Sequence, residues 1–389
     1  MQYNFDKHIE RTNTASIKHD LRETIFGTKD VIPFWVADMD FETPDFIREA
    51  VIERAKHPVY GYTFRDDAYY QSIIGWMKRR YQWEIEKDWI LFSPGVVPAL
   101  NMAVLAFSEP GDEIIVQPPV YFPFFSAVKD HNRTLVYNQL IKRDTDYGID
   151  FELFEKQAQT AKLFVLSNPH NPVGRCWKRD ELQELATICL KNNVLVLADE
   201  IHSDLVLPPY KHCVFADLSA EVAEITATFH APSKTFNLAG LSSSSVIIEN
   251  PELRKKMKTV LQSMHIEMGN IFGIEATKAA FNYGEPWLEQ LLKYIQLNVN
   301  ETVSFLNKNL PEVNIFVPEA TYMIWLDFSF TGLSDDELRN KMIYEAGLGL
   351  SPGKDFGPGG SQMMRLNVAC PKEILMKGLE QMANVFAKK

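Results

Sequence analysis

Between residues 112 and 250 the chain alternates short, largely apolar runs with amphipathic stretches. The runs are "DEIIVQP" (112–118), "TLVYNQL" (134–140), "KLFVLSNP" (162–169), "VLVLADE" (194–200), "EITATFH" (224–230) and "SSVIIEN" (244–250). Apolar runs without strict alternation suit strands covered on both faces. Between them, "FSAVKDHN" (125–132) and "RDELQELATICLKNN" (179–193) have helical spacing, the second opening on acidic residues. Strands alternating with helices predict an α/β fold with a parallel, crossover-connected sheet.

After about residue 285 the pattern changes. "PWLEQLLKYIQLNVNETVSFLNKNL" (286–310) predicts one long amphipathic helix. "VNIFVPEATYMIWLDF" (313–328) and "MMRLNVAC" (363–370) read as strands of a smaller α+β unit. The first 45 residues are irregular and predicted to wrap onto that unit or a partner chain. The expected division is a large domain over 46–285 and a small one built from 1–45 and 286–389.

Composition narrows the class. With 389 residues, 46% hydrophobic and 23% charged, the chain reads as a soluble globular protein. Its net charge of −11 argues against nucleic acid and an anionic membrane surface as partners. Cys176, Cys189, Cys213 and Cys370 form no C-x-x-C pair, so no zinc ribbon is expected. The N-terminus lacks the apolar core of a signal peptide, and no run of about 18 apolar residues occurs; the expected location is the cytoplasm. His202, Asp204, His212 and Cys213 show no helical i, i+4 pair, and no metal is expected. "GLGLSPG" (347–353) is too late and wrongly spaced for a dinucleotide fingerprint, and "SPGKD" fails the P-loop pattern.

Ligands of open α/β sheets bind beyond the carboxyl ends of the strands. The strand ends here deliver Tyr121 in "PPVYFPF", Asn171 in "NPHNPVG", Asp199 in "ADE" and Lys234 in "HAPSKTFNLAG". In "FSPGVVPALNMAVLAF" (92–107), Gly95 opens a helix whose N–H groups suit a phosphate. Taken singly, each is ordinary: a turn, a helix cap, a core aromatic, a surface lysine. Taken together, they match pyridoxal 5′-phosphate (PLP). Its aldehyde needs an amine, its ring nitrogen a carboxylate, its 3-oxygen a donor, its ring a stacking partner and its phosphate a helix N-terminus. Lys234 sits among small and apolar neighbours with no carboxylate in its stretch, which makes a neutral, nucleophilic amine easier to reach.

The order "NPHNPVG", "ADEIH", "SKTFNLAG" resembles the fold-type-I PLP-dependent enzymes of the class I/II aminotransferase superfamily. Asn171 and Asp199 are 28 residues apart, and Asp199 and Lys234 35 apart, as is similar in that family. "WVADMDF" (35–41), "YGYT" (60–63), "PPVYFPF", "DEIHSDL" and "SKTFNLAGL" are similar to the MalY/PatB-type C–S β-lyases, that is, cystathionine or cysteine-S-conjugate β-lyases. The resemblance implies a large, mostly parallel-sheet domain plus a smaller α+β domain. It implies Lys234 as the Schiff-base lysine and proton-transfer base, Asp199 on the pyridinium nitrogen, Asn171 on the 3-oxygen and Tyr121 on the ring. Gly95, Val96, Val97 and Ser233 would hold the phosphate, and Arg365 would take the substrate α-carboxylate, with Ala37 beside it. Tyr62 would reach the phosphate of a neighbouring subunit, implying a homodimer with its active site at the interface.

Two departures accompany the resemblance. Aminotransferases commonly carry an arginine eight residues after the lysine and a tyrosine three after the aspartate. Here those positions are Ser242 and His202, the latter expected at the cofactor. The expected activity is therefore β-elimination from a cysteine thioether, with aminotransfer as the alternative and a regulator that keeps the fold as a third reading.

Overall fold

The computed structural model describes residues 2–387. Its larger sheet has seven strands: β1 (Ile90–Ser93), β2 (Glu113–Val116), β3 (Thr134–Tyr137), β4 (Leu163–Ser167), β5 (Leu195–Asp199), β6 (Thr226–His230) and β7 (Ser244–Ile247). Their spatial order is β1-β7-β6-β5-β4-β2-β3. The apolar runs are explained by what covers them. Along β4, Phe164 and Leu166 join one buried cluster, while Leu163 and Val165 join another. Successive side chains point to opposite faces, so a strand buried on both needs apolar residues throughout.

The strands β6, β5, β4, β2 and β3 pair in parallel, as predicted. The run at 244–250 departs from that expectation: β7 is antiparallel to both β6 and β1. A parallel strand needs a crossover across the sheet face, usually a full helix. The link from His230 to Ser244 contains only a four-residue helix, Pro232–Thr235, and a single 3₁₀ turn, Ala239–Leu241. It turns back at the edge it left, and that return places Lys234 at the carboxyl ends of the strands.

The smaller sheet is antiparallel, with strands in the order 314–316, 323–327, 363–367, 351–352. Arg365 lies between Trp325 and Ser351 in this sheet. The long helix observed at Glu285–Asn309 buries Trp287, Leu291, Ile295 and Val299 at helical spacing. The N-terminal segment is less irregular than expected, with short helices at Ile17–Asp20 and Arg22–Phe26. It packs on the C-terminal part of its own chain: Ile32–Pro33 pairs with Leu348–Gly349, and Phe5 meets Trp287 edge-on. Among the described residues no helix is long and apolar enough to cross a membrane.

Candidate active site

A cavity of about 190 Å³ opens at the carboxyl ends of β4, β5 and β6. Lys234, Asp199, Asn171, Tyr121, His202 and Ser233 line it, as do Gly95, Val96, Val97 and Ala37. Larger, shallower clefts beside Tyr344 and beside Arg65 contain none of these residues.

Each wall has a local cause. Helix α1 (Val96–Phe107) has Gly95 as its N-cap, so no side chain caps it. Pro98 has no N–H, and the Ala99 N–H bonds Gly95 O at 3.0 Å. The N–H groups of Val96 and Val97 are therefore the first-turn donors left for the cavity, where an anion is favoured.

Asp199 ends β5 and is buried, accepting the Ile201 N–H at 3.1 Å. Burial raises its carboxyl to about 7, against the lowering effect of that N–H and of Lys234. Lys234 donates from Nζ to the Ala37 carbonyl at 2.6 Å. Burial, then the Arg365 charge, bring its ammonium down to about 8. His202 is buried with no partner on Nδ1, and burial followed by the Lys234 and Arg365 charges lowers it to about 3. The ring is thus neutral at ordinary pH. Burial raises the Tyr121 phenol as well.

Arg365 stands at the edge of this group. Its guanidinium donates to Asn171 Oδ1 at 3.1 Å, to Trp35 O at 2.8 Å and to Ser351 Oγ at 3.2 Å, over the Phe356 ring. It is buried, its Nε has no partner, and burial lowers it to about 10. With Oδ1 taken, the amide nitrogen is the end of Asn171 left for the cavity.

Tyr62 is 95% exposed and lies outside its own chain's cavity. The structure adds residues that the strand ends alone do not reveal. Ser167, Ser242 and Ser243 line the cavity. Tyr322 donates to the Ala37 carbonyl at 2.9 Å, the acceptor used by Lys234. Ser242 carries a signal in its departure from the aminotransferase pattern; Tyr322 carries none, being far along the sequence from every strand end of the large sheet.

The cavity passes a test for PLP on its own chemistry. It offers a lysine with an accessible neutral amine, a buried carboxylate in no ion pair among the described residues, and two first-turn N–H groups at a helix start. A pyridinium, an aldehyde and a phosphate are the complements of these groups.

Comparison with known proteins gives the same direction. The family model for aminotransferase class I and II matches residues 29–381. Cystathionine beta-lyase PatB of Bacillus subtilis is 47% identical over 380 residues, 97% of this chain and 98% of that protein. The structure of cystalysin from Treponema denticola, which contains PLP, superposes with a TM-score of 0.96 at 36% identity over 99% of both chains. That of a PLP-bound C-S lyase from Staphylococcus hominis superposes with a TM-score of 0.92 at 32% identity, over 100% of this chain and 99% of that one. The chain belongs to the aminotransferase class I and II family.

Proposed function

We propose that this protein is a PLP-dependent carbon–sulfur β-lyase, cleaving L-cystathionine or a related cysteine thioether with water into a thiol (homocysteine), pyruvate and ammonia. One charge arrangement carries the reading. Arg365 is a buried cation, Asp199 a buried carboxylate and Lys234 a partly exposed amine at the cavity wall, and among the described residues none of the three forms an ion pair. Buried charges without partners are costly unless a ligand completes them. The 47% identity to a cystathionine β-lyase selects elimination over aminotransfer.

PLP bound there would act as an electron sink that lets the substrate Cα–H bond ionise. The remaining work falls to the chain. Arg365 holds the substrate α-carboxylate, with its fork fixed over Phe356. Lys234 would hold the cofactor covalently through its amine and, once the substrate amine has displaced it, would be free to take the proton from Cα. Asp199 would keep a proton on the ring nitrogen. Asn171 and His202 would serve the ring's 3-oxygen, Tyr121 would stack on the ring, and its phenol is the candidate acid for the departing sulfur. The N–H groups of Val96 and Val97 would hold the phosphate with Ser233, next to Gly95, and Ala37 would border the substrate.

The test is a single-tube assay. L-Cystathionine without added keto acid should give sustained release of pyruvate and thiol, while the same thioether lacking its α-carboxylate should turn over at least ~10-fold more slowly, since Arg365 loses a charged partner. Turnover only when a keto acid is present, with no thiol released, would assign the aminotransferase reading instead.

A homodimer belongs to the same proposal. Val59, Tyr60, Tyr62 and Phe64 are 61%, 58%, 95% and 79% exposed, and Tyr60 and Tyr62 share one shallow cleft with half-exposed Met268. A contiguous apolar patch of this kind marks an interface, and a second copy would bring its Tyr62 to this chain's cavity. Sedimentation equilibrium should give twice the 44.6 kDa chain mass; a monomer at micromolar concentration sinks the shared-site part. The division into 46–285 and 1–45 plus 286–389 is proposed with it, supported by the Ile32–Leu348 pairing of the two termini. A reducing, cytoplasmic setting fits the four free cysteines.

A further inference from the structure

The loop after β5 carries a further buried carboxylate, Asp204, which no step above uses. It is 1% exposed. Its carboxylate accepts from Thr235 Oγ1 at 2.8 Å, from Trp76 Nε1 at 3.2 and 3.3 Å, and from the Tyr81 hydroxyl. His230 Nε2 lies at 3.6 Å and Arg80 Nε at 3.7 Å. Burial opposes the charged form, but His230, Arg80 and Tyr81 outweigh it and hold the carboxyl below its ordinary range.

The position of these donors matters more than their number. Asp204 is two residues beyond His202, in the 3₁₀ turn Ser203–Leu205 that follows the strand ending at Asp199. Thr235 follows Lys234 on the short helix Pro232–Thr235, and its side chain is fully buried. The register of β5 with β6 ends at Asp199 and Phe229, and the Phe229 carbonyl also takes the Glu200 N–H at 3.0 Å. Beyond that point the two strands diverge into separate loops, and both loops line the cavity. The Asp204–Thr235 hydrogen bond is a side-chain tie across that gap. Trp76 and Tyr81, on the helix Asp67–Tyr81, fix the carboxylate from behind, so the tie is anchored to the core.

We propose that Asp204 is a positioning residue: through Thr235 it sets where Lys234 stands relative to Asp199. The inference rests on the PLP reading above, because only a ligand spanning both residues makes their separation matter. A reacting group misplaced by about 1 Å costs up to ~100-fold in rate, while binding changes little.

The experiment uses the intact cofactor-loaded protein and three variants. Thr235→Val keeps the shape and removes the donor; Thr235→Ser restores it; Asp204→Asn keeps an acceptor but removes the charge. Wild-type protein is first shown to take up PLP and to carry a borohydride label on Lys234. Thr235→Val should keep its far-ultraviolet dichroism and its KM, lose about tenfold or more in kcat, and move the pH midpoint of the cofactor's visible absorbance. Thr235→Ser should return both kcat and midpoint to near wild type. A Thr235→Val protein that melts earlier but keeps wild-type midpoint and kcat overturns the proposal, as does failure of Thr235→Ser to restore them. Should Thr235→Val not fold, Asp204→Asn decides in the same way: an altered midpoint supports the tie, and an unaltered one overturns it. Wild-type protein that takes up no PLP overturns the underlying reading and this inference together.

Discussion

Asp199→Asn should fold, bind PLP and turn over at least ~100-fold more slowly than wild type. The fold survives because asparagine is nearly isosteric and its Oδ1 can still accept the Ile201 N–H. What it cannot do is hold a proton on the ring nitrogen. A hydrogen bond to a charged group contributes ~1.5–3 kcal/mol, and each 1.36 kcal/mol is tenfold in rate. The lost bond alone accounts for about 10–100-fold, and the weakened electron sink adds to it. The substitution also has an opposite effect on stability. In the cofactor-free chain the Asp199 carboxyl lies at about 7, raised by burial, against ~3.9 in an unfolded chain. The folded state therefore keeps its proton longer. The cost of ionising Asp199 in the folded state is absent below pH ~4, grows as pH rises, and is fully present above about 7. Asparagine carries no such cost. Cofactor-free Asp199→Asn should then melt above cofactor-free wild type at pH 8, and the gap should close on acidification. Thermal melts at several pH values read this directly. Near-normal turnover, or a lower melting temperature at pH 8, would remove Asp199 from the role given to it.

The same residue shows why part of the site is legible in the sequence alone. A strand buried on both faces has no use for a carboxylate, so an aspartate closing "VLVLAD" stands out, as does a lysine among "HAPS" and "TFNLAG". Strand ends in an α/β sheet converge on one edge, and residues singled out that way meet in one cavity. Legibility ends where the chain returns from afar. The Ala37 carbonyl that holds Lys234 arrives from 197 residues away, on a segment pinned by Asn367 and Asn237. The contact between Arg365 and Asn171 spans 194 residues. Neither follows from local periodicity, because both depend on how the small sheet packs on the large one. The reversed direction of β7 is hidden for a different reason: apolar content marks a strand but carries no sign of its direction. Only the short connection through Lys234 carries that information. Asp204 illustrates a third limit. In sequence it sits in a doubtful metal set with His212, yet His212 pairs with Glu200 while Asp204 binds Thr235.

Lys234→Ala should be inert in elimination, with kcat lower by ~10⁴ or more, and should carry no borohydride label. The argument begins with the fraction of neutral amine. An ordinary lysine near 10.4 is ~0.4% neutral at pH 8, whereas one at about 8 is half neutral. Burial and the Arg365 charge thus raise the nucleophilic form roughly 100-fold over a surface lysine. Surface lysines move the other way: Lys78 and Lys87, paired with Glu84 and Asp67, are raised above the ordinary value. Attack on the cofactor aldehyde should therefore concentrate on Lys234, and the rate at which cofactor-free protein captures PLP should climb with pH through about 8 and level off above it. Proton transfer by a positioned side chain contributes ~10²–10⁴-fold on its own, and alanine removes that function together with the covalent anchor. The Ala37 carbonyl would lose one of its two donors but keep Tyr322, so the cavity wall should stand. Added methylamine, small enough to enter the space left by the side chain, should restore part of the rate in Lys234→Ala and none in Asp199→Asn, since only the first lacks an amine. Peptide mapping after borohydride treatment of wild type decides the assignment: a pyridoxyl group on a peptide other than the one holding Lys234, or steady turnover by Lys234→Ala without added amine, would place the chemistry elsewhere.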